Sequence, residues 1–396
     1  MNNHSTTRIS DNRRSLSFSS IAIILIFFLV TSQVLILPLP NIVTQLFRPL
    51  LVAMIIINMQ KNGFIRSTTQ MLALLLAFHA GFSLLLHPEL WNEDNIINGV
   101  AVFLYFLMVS FAIAANWSKR ELKWILAASF FGCFVCAVAL LASNNPVDFH
   151  AANAGHLSLA GFSVNRNKNA YQYAFGTVLG MIYLLKGRNN PKLIIFLMTA
   201  VQLYALLYSQ CRGAFISAVA AVTVLFLGLL LEVRKKNGGR AMLWLIVMIV
   251  AYIAAYYLLK NSELSRLVDG ENTSGRDEGI KDAWNIFLRS GAFEKVFGNG
   301  FGFEATQIEG IGAHMVHVSY LVSMGLIGAI LTIGVFYSAF KMEFGAGAYA
   351  LLAVSFMKTF FEGADYNVFI PLILSIVICN YTRLSGRKYY GLFGKT

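Results

Sequence analysis

The chain is built around apolar runs of about 17–25 residues, the length that carries an α-helix across the hydrocarbon core of a bilayer. They lie near 19–37, 42–58, 69–87, 96–115, 122–142, 169–186, 193–210, 213–233, 241–259, 317–340, 345–361 and 366–382. In lipid every backbone polar group must be satisfied within the chain, so such runs fold as helices or close into a barrel. The strand-like alternation with regular turn spacing that a barrel needs is absent. Composition agrees, with 57% hydrophobic and 13% charged residues in a chain of 396 and a mean hydropathy of +0.64. A soluble domain cannot hide that much apolar surface. The expected fold class is an all-α polytopic integral membrane protein, one membrane domain over residues 1–396 with about 12 transmembrane helices.

The first run follows Arg8, Arg13 and Arg14, as the core of a signal sequence would. It lacks an A-x-A cleavage site and more runs follow, so it reads as an uncleaved first helix. With the N-terminus cytoplasmic, the even-numbered connections are cytoplasmic too. They carry Lys61 and Arg66; Lys119, Arg120 and Lys123; Lys186, Arg188 and Lys192; Arg234, Lys235, Lys236 and Arg240; and Lys341. The C-terminal tail adds Arg383, Arg387, Lys388 and Lys395, whereas the short odd-numbered connections hold only Arg166, Lys168 and Arg212. This is the positive-inside pattern, with both termini cytoplasmic. The formal net charge of +12 is therefore an orientation signal, and nucleic acid is not expected as a partner.

One connection is long. Residues 260–316 form an extracytoplasmic loop between the ninth and tenth runs, and loops of that size usually carry function. Within it "TSGRDEGIKDAWNIFLRSG" reads as a helix, capped by Thr273 or Ser274, with Asp277 and Glu278 in its first turn and Gly291 at its end. Ile280, Trp284 and Phe287 share a helical face that suits the membrane surface or the bundle. "GNGFGFE" nearby follows no strand of a βαβ unit and reads as a tight turn rather than a dinucleotide loop. Cys133 and Cys136 make C-x-x-C inside an apolar run without a second ligand pair, which favours packing over metal or redox work.

Charged and titratable residues inside or beside apolar runs narrow the function. Arg212, in "YSQCRGAFIS", stands between two runs at the extracytoplasmic end, where it either snorkels to headgroups or meets an anion. Arg276 opens the loop helix, where the helix dipole adds to its charge and favours phosphate over plain solvation. His317 opens the tenth run, and Arg166 and Lys168 lead into the sixth. Asp365 lies in the last extracytoplasmic turn, as a neighbour's ion-pair partner or a ligand for substrate. Arg48 lies inside the second run and either snorkels or lines a cavity. Arg48 apart, these sequence-distant groups share one side of the membrane. No D-x-D, H-E-x-x-H or G-x-S-x-G is present, and "GLFGKT" lacks the first glycine of a phosphate-binding loop. Arginines and a histidine outside the cytoplasm suit a donor activated in advance, such as a lipid-linked diphosphate sugar. Its leaving diphosphate gains charge that fixed guanidiniums stabilise, while a histidine takes the acceptor proton.

The segments "LYSQCRGAFISAV", "SGRDEGIKDAWNIFLRSGAF", "HMVHVSYLVSMGLIGAI" and "FFEGADYNVFIPLIL", in that order, resemble the O-antigen ligase family of bacterial inner membranes over roughly residues 160–380. The resemblance implies a C-type glycosyltransferase bundle with one large periplasmic loop. It would move polysaccharide from undecaprenyl diphosphate to lipid A-core, in contact with membrane lipids and with no metal or other cofactor. Residue by residue it implies that Arg212 and Arg276 hold the diphosphate and that His317 assists the acceptor. Asp365 corresponds to the family's acid before the last helix. Where many members of the superfamily have Asn after that histidine, this chain has Val318 and then Ser319. The rival readings are an O-antigen polymerase with the same donor chemistry and, from another class, a transporter or flippase. A transporter places its polar groups at mid-membrane on broken helices rather than at one face. Glycan repeat, acceptor sugar and oligomeric state stay open.

Overall fold

The computed structural model describes residues 16–32, 41–57, 67–115, 117–143, 156–159, 162–186, 191–234, 257, 260, 276–307, 315–342, 345–361 and 366–385. Among them, helices α1 (Phe18–Ser32), α2 (Asn41–Ile57), α3 (Thr68–Leu86), α4 (Glu93–Ala114) and α5 (Lys119–Ser143) come first. A short hairpin, β1 (His156–Leu159) and β2 (Phe162–Asn165), precedes α6 (Arg166–Lys186), α7 (Lys192–Tyr208) and α8 (Arg212–Arg234). Then follow three loop helices, α9 (Arg276–Arg289), α10 (Ala292–Phe297) and α11 (Phe303–Gln307), and finally α12 (Val316–Phe340), α13 (Ala346–Lys358) and α14 (Tyr366–Ser385). Each apolar run of the sequence falls on a helix except 241–259, which lies almost wholly outside the described residues.

By length and composition, α3, α4, α5, α12 and the Arg212–Leu231 part of α8 are long and apolar enough to cross a membrane. Their exposed surfaces agree, because Phe78, Leu85, Phe131, Leu231 and Ile330 point outward rather than into a core. The protein is an α-helical membrane protein on these marks.

Local chemistry sets the helix starts. Ser67 caps α3 by accepting from Gln70 N at 3.2 Å, and Asn92 caps α4 by accepting from Asn95 N at 2.8 Å. At the start of α5, Ser118 Oγ accepts from Glu121 N at 3.1 Å while Glu121 Oε2 accepts from Ser118 N at 2.7 Å. This reciprocal capping box also reaches α1, since the other Glu121 oxygen accepts from Ser20 Oγ. Small residues let α8 and α13 approach closely. Ala346, Gly347, Ala348, Ala350 and Ala353 are buried on α13, and a Cβ on Gly228 of α8 would come 2.5 Å from Ala346 Cβ.

The architecture is all-helical as expected, with a small local departure, the hairpin. Its register pairs Leu157 with Val164 and Leu159 with Phe162, alternating with the polar pairs His156 with Asn165 and Ser158 with Ser163. Four residues of period-two pattern suffice for a two-stranded ribbon but are too short to stand out beside helical runs.

A second departure is the break in α12. Gly325 has φ 65 and ψ −166, which interrupts the helix. Around it three carbonyls accept from outside the helix. Val322 O receives Asn299 N at 2.8 Å and Asn299 Nδ2 at 3.2 Å. Ser323 O receives Ser83 Oγ at 2.6 Å and Gly300 N at 3.1 Å, and Met324 O receives His79 Nε2 at 2.7 Å. A polar histidine on α3 is thus satisfied by a helix break rather than by a ligand. The "GNGFG" segment is a tight turn, as its sequence suggests. It docks backbone against backbone, because a Cβ on Gly325 would collide with Val296 O and sit 2.6 Å from Gly298 N.

The loop helices rest on the N-terminal half of α12. Ala283 and Val322 are fully buried against each other, with Ile280, Ile286 and Val318 around them. The buried stripe of α9 therefore runs through Ala283 rather than Trp284, which is half exposed, because only the small side chain lets the helices approach. Ser319 Oγ donates to Glu304 Oε2 at 2.7 Å and ties α11 to the same half-helix.

Candidate functional site

The site forms where α6, α8 and α12 begin and α13 ends. Between α7 and α8 the chain reverses within Ser209, Gln210 and Cys211. Ser209 Oγ donates to Leu206 O at 2.6 Å and accepts from Cys211 N at 3.4 Å. Gln210 takes φ 47, the only positive φ of a non-glycine among the described residues. That left-handed conformation is costly for a residue with a side chain and is typical of functional turns. It delivers Arg212, half-buried, as the first residue of α8.

Gly213 lets two neighbours close over that helix start. A Cβ there would collide with the Tyr171 hydroxyl of α6 and lie 2.7 Å from Phe361 Cβ just beyond α13. Tyr171 is fully buried, and its ring faces Lys358 Nζ at 4.8 Å from the ring centre. Lys358 itself is fully buried at the end of α13. An ammonium so far from water demands compensation, which the π-face of Tyr171 supplies in part.

The next residue, Thr359, joins the last helix of the set. Its Oγ1 lies 2.9 Å from His317 Nε2, and its carbonyl accepts from Val316 N at 2.9 Å. The His317 ring is flanked by Phe356 and Phe360, with ring centres 6.3 and 5.1 Å away. Arg212, Tyr171, Lys358, Thr359 and His317 thus form a continuous line of neighbours across four helices.

No family model and no curated protein matches this chain. What the residues can do rests on their own geometry. Arg166 and Arg212 stand at the starts of α6 and α8, which pack on each other, and Lys358 stands at the end of α13, packed on α8. A histidine with an apolar cage and one fixed partner stands beside it, placed for proton transfer.

The residues singled out from sequence divide as follows. Arg166 opens α6 and is buried, and Arg212 and His317 open α8 and α12 in the line just described. Lys168 and Arg276 lie in the first turns of α6 and α9, but their side chains lie outside the described residues, as does Asp365 altogether. Arg48 is elsewhere. Its Nε donates to Tyr105 Oη at 3.0 Å, its guanidinium carbon lies 5.2 Å from that ring's centre, and it lines a small apolar recess with Phe27, Leu51 and Ile373. Rings connect it to the site: Tyr105 stacks on Phe369 at 4.3 Å, Phe369 meets Phe106 at 5.1 Å, and Phe106 meets Tyr320, one turn beyond His317, at 6.5 Å.

Tyr171, Lys358 and Thr359 were not among the sequence candidates. Lys358 borders an apolar run, and its burial is a matter of packing. No pattern marks Tyr171 or Thr359.

Proposed function

We propose that the chain is an O-antigen ligase that transfers polysaccharide from undecaprenyl diphosphate to lipid A-core at the periplasmic face of the bacterial inner membrane. The observation that carries this reading is the chain of contacts that joins His317, Thr359, buried Lys358 and Tyr171 to the start of α8, where Arg212 stands, with Arg166 opening the adjoining α6. In this reading the membrane domain is one unit of twelve helices, with 241–259 as the ninth. Residues 260–316 form the periplasmic loop, and Arg276 and Asp365 face the same site.

The chemistry follows from the groups. Arg212, with Arg166 and Arg276, holds the donor diphosphate and stabilises the charge it gains as the glycosidic bond breaks. His317 accepts the proton of the lipid A-core hydroxyl as that oxygen attacks the anomeric carbon. Undecaprenyl diphosphate leaves with the bonding electrons. The donor is already activated, so the step calls for no nucleotide. The polyprenyl chain enters sideways from the membrane, and the Arg48 recess with its row of rings is the entrance this reading favours. Lys168, at the start of α6, lies where the glycan approaches.

Deleting the gene and examining lipopolysaccharide together with undecaprenyl-linked glycan tests the reading. Loss of O-antigen bands with long polymer retained on undecaprenyl diphosphate is the expected result. Lipid A-core bearing a single repeat would assign a polymerase instead, and an unchanged profile would dismiss both. Arg212→Ala at normal protein level is expected to reduce transfer by about 100-fold or more, the scale of losing a group that stabilises developing charge.

A further inference from the structure

We propose that Thr359 is a positioning residue that fixes the tautomer of His317, so that the nitrogen accepting the proton in the transfer is Nδ1. This rests on the ligase reading for the identity of the reaction, and on hydrogen-bond geometry for the tautomer.

Thr359 is fully buried and held on several sides. Its N donates to Phe356 O at 3.1 Å and its carbonyl accepts from Val316 N at 2.9 Å. Its hydroxyl donates to the same Phe356 O at 2.6 Å. A hydroxyl has one hydrogen, and we assign it to the Phe356 carbonyl, the nearer acceptor and one that can never donate. Toward His317 Nε2, 2.9 Å away, Thr359 Oγ1 can then only accept. Nε2 therefore carries the ring hydrogen, and the lone pair of the neutral imidazole resides on Nδ1.

The other ring nitrogen supports the same assignment. Among the described residues, buried His317 Nδ1 has no hydrogen-bond partner. With the opposite tautomer a buried N–H would point at nothing, the more costly kind of orphan. With this one, the orphan is an acceptor, and a base waiting for a substrate proton is the physical explanation such a group needs. Phe356 and Phe360 hold the ring in that orientation.

The step balances without rearrangement. The acceptor hydroxyl gives its proton to Nδ1 as its oxygen bonds to the anomeric carbon, and the carbon–oxygen bond to the diphosphate breaks toward the diphosphate. The imidazolium formed keeps its Nε2–H bond to Thr359, which accepts in both states and needs no reorientation during the reaction.

Full-length protein carrying ¹⁵N-histidine, in lipid bilayers, provides the test, with the His317 signal identified by its loss in His317→Gln. The expected spectrum shows a bare Nδ1 and a protonated Nε2 in the wild type and in Thr359→Ser. Thr359→Val, which keeps the shape and removes the acceptor, is expected to lose that preference. In membranes Thr359→Val should lower kcat by about tenfold or more with KM little changed, and Thr359→Ser should restore it. A proton on Nδ1 in the wild type, or a valine variant with wild-type kcat, would overturn the assignment. If the valine variant does not fold, the wild-type and serine spectra decide. If wild-type membranes transfer no glycan, the ligase reading fails while the nitrogen spectrum still judges the tautomer.

Discussion

At Gly213 the absence of a side chain has a measurable consequence, because Tyr171 and Phe361 occupy the space a Cβ would need. Gly213→Ala should displace the Tyr171 ring from Lys358 and shift the start of α8 by a fraction of an ångström. Misplacements on that scale near reacting groups cost up to about 100-fold in rate. The expected result is a loss of glycan transfer of that order in membranes with normal protein level, while Ala214→Gly, one residue on, leaves the contact in place. Arg212 and His317 were legible in the sequence because each is a charged or titratable group set against apolar runs. Lys358 was not singled out, because a lysine at the end of an apolar run ordinarily snorkels, and only packing reveals that this one is buried. Thr359 was invisible for a different reason. Helical threonines bond routinely to the carbonyl one turn back, and no local pattern distinguishes one that also meets a histidine 42 residues away in sequence.

At the scale of elements, helices were read well and their interruptions poorly. Runs of 17–25 apolar residues announce helices because lipid leaves the backbone no other partner. The break at Gly325 leaves no such mark, since Gly328 and Gly334 stand in the same run and stay helical. What sets Gly325 apart is the turn at Gly298–Gly300 pressed against it, a tertiary fact. The break is held open by donors from α3 and from that turn, so their removal is expected to be felt as lost stability. His79→Ala takes away the donor to Met324 O and should cost about 1–3 kcal/mol, the usual range for leaving a buried polar group unsatisfied. Gly325→Ala should cost more, since it adds a collision with Val296 O to an unfavourable φ. Thermal unfolding of the two variants in detergent, with His79→Gln as a partial rescue, reads both effects. A melting temperature unchanged in Gly325→Ala would show that the helix runs straight through this point. The turn and loop helices are fixed to the half-helix that begins with Val316, so the position of His317 depends on how the loop docks.

For the molecule as a whole, the proposed orientation of the bundle rests on the charge distribution. Basic residues gather in the connections that follow even-numbered runs, and the site forms at the opposite end, where α6, α8 and α12 begin. The loop helices lie at that same end, on the first half of α12. Substituted-cysteine labelling in a Cys379→Ser background tests this arrangement, because the other three of the four cysteines, Cys133, Cys136 and Cys211, are buried. Trp284 is half exposed on α9, so Trp284→Cys should leave the loop's packing intact and present a reactive thiol. In spheroplasts a membrane-impermeant maleimide is expected to modify Trp284→Cys fully and to spare Lys235→Cys, which lies in a basic connection, until the cells are opened. The opposite result would place α9 and the site in the cytoplasm, where undecaprenyl-linked glycan awaiting transfer to lipid A-core is not displayed, and the ligase reading would then fail on topology alone. Labelling of both positions in intact spheroplasts would contradict the number of crossings between them, and with it the span at 241–259.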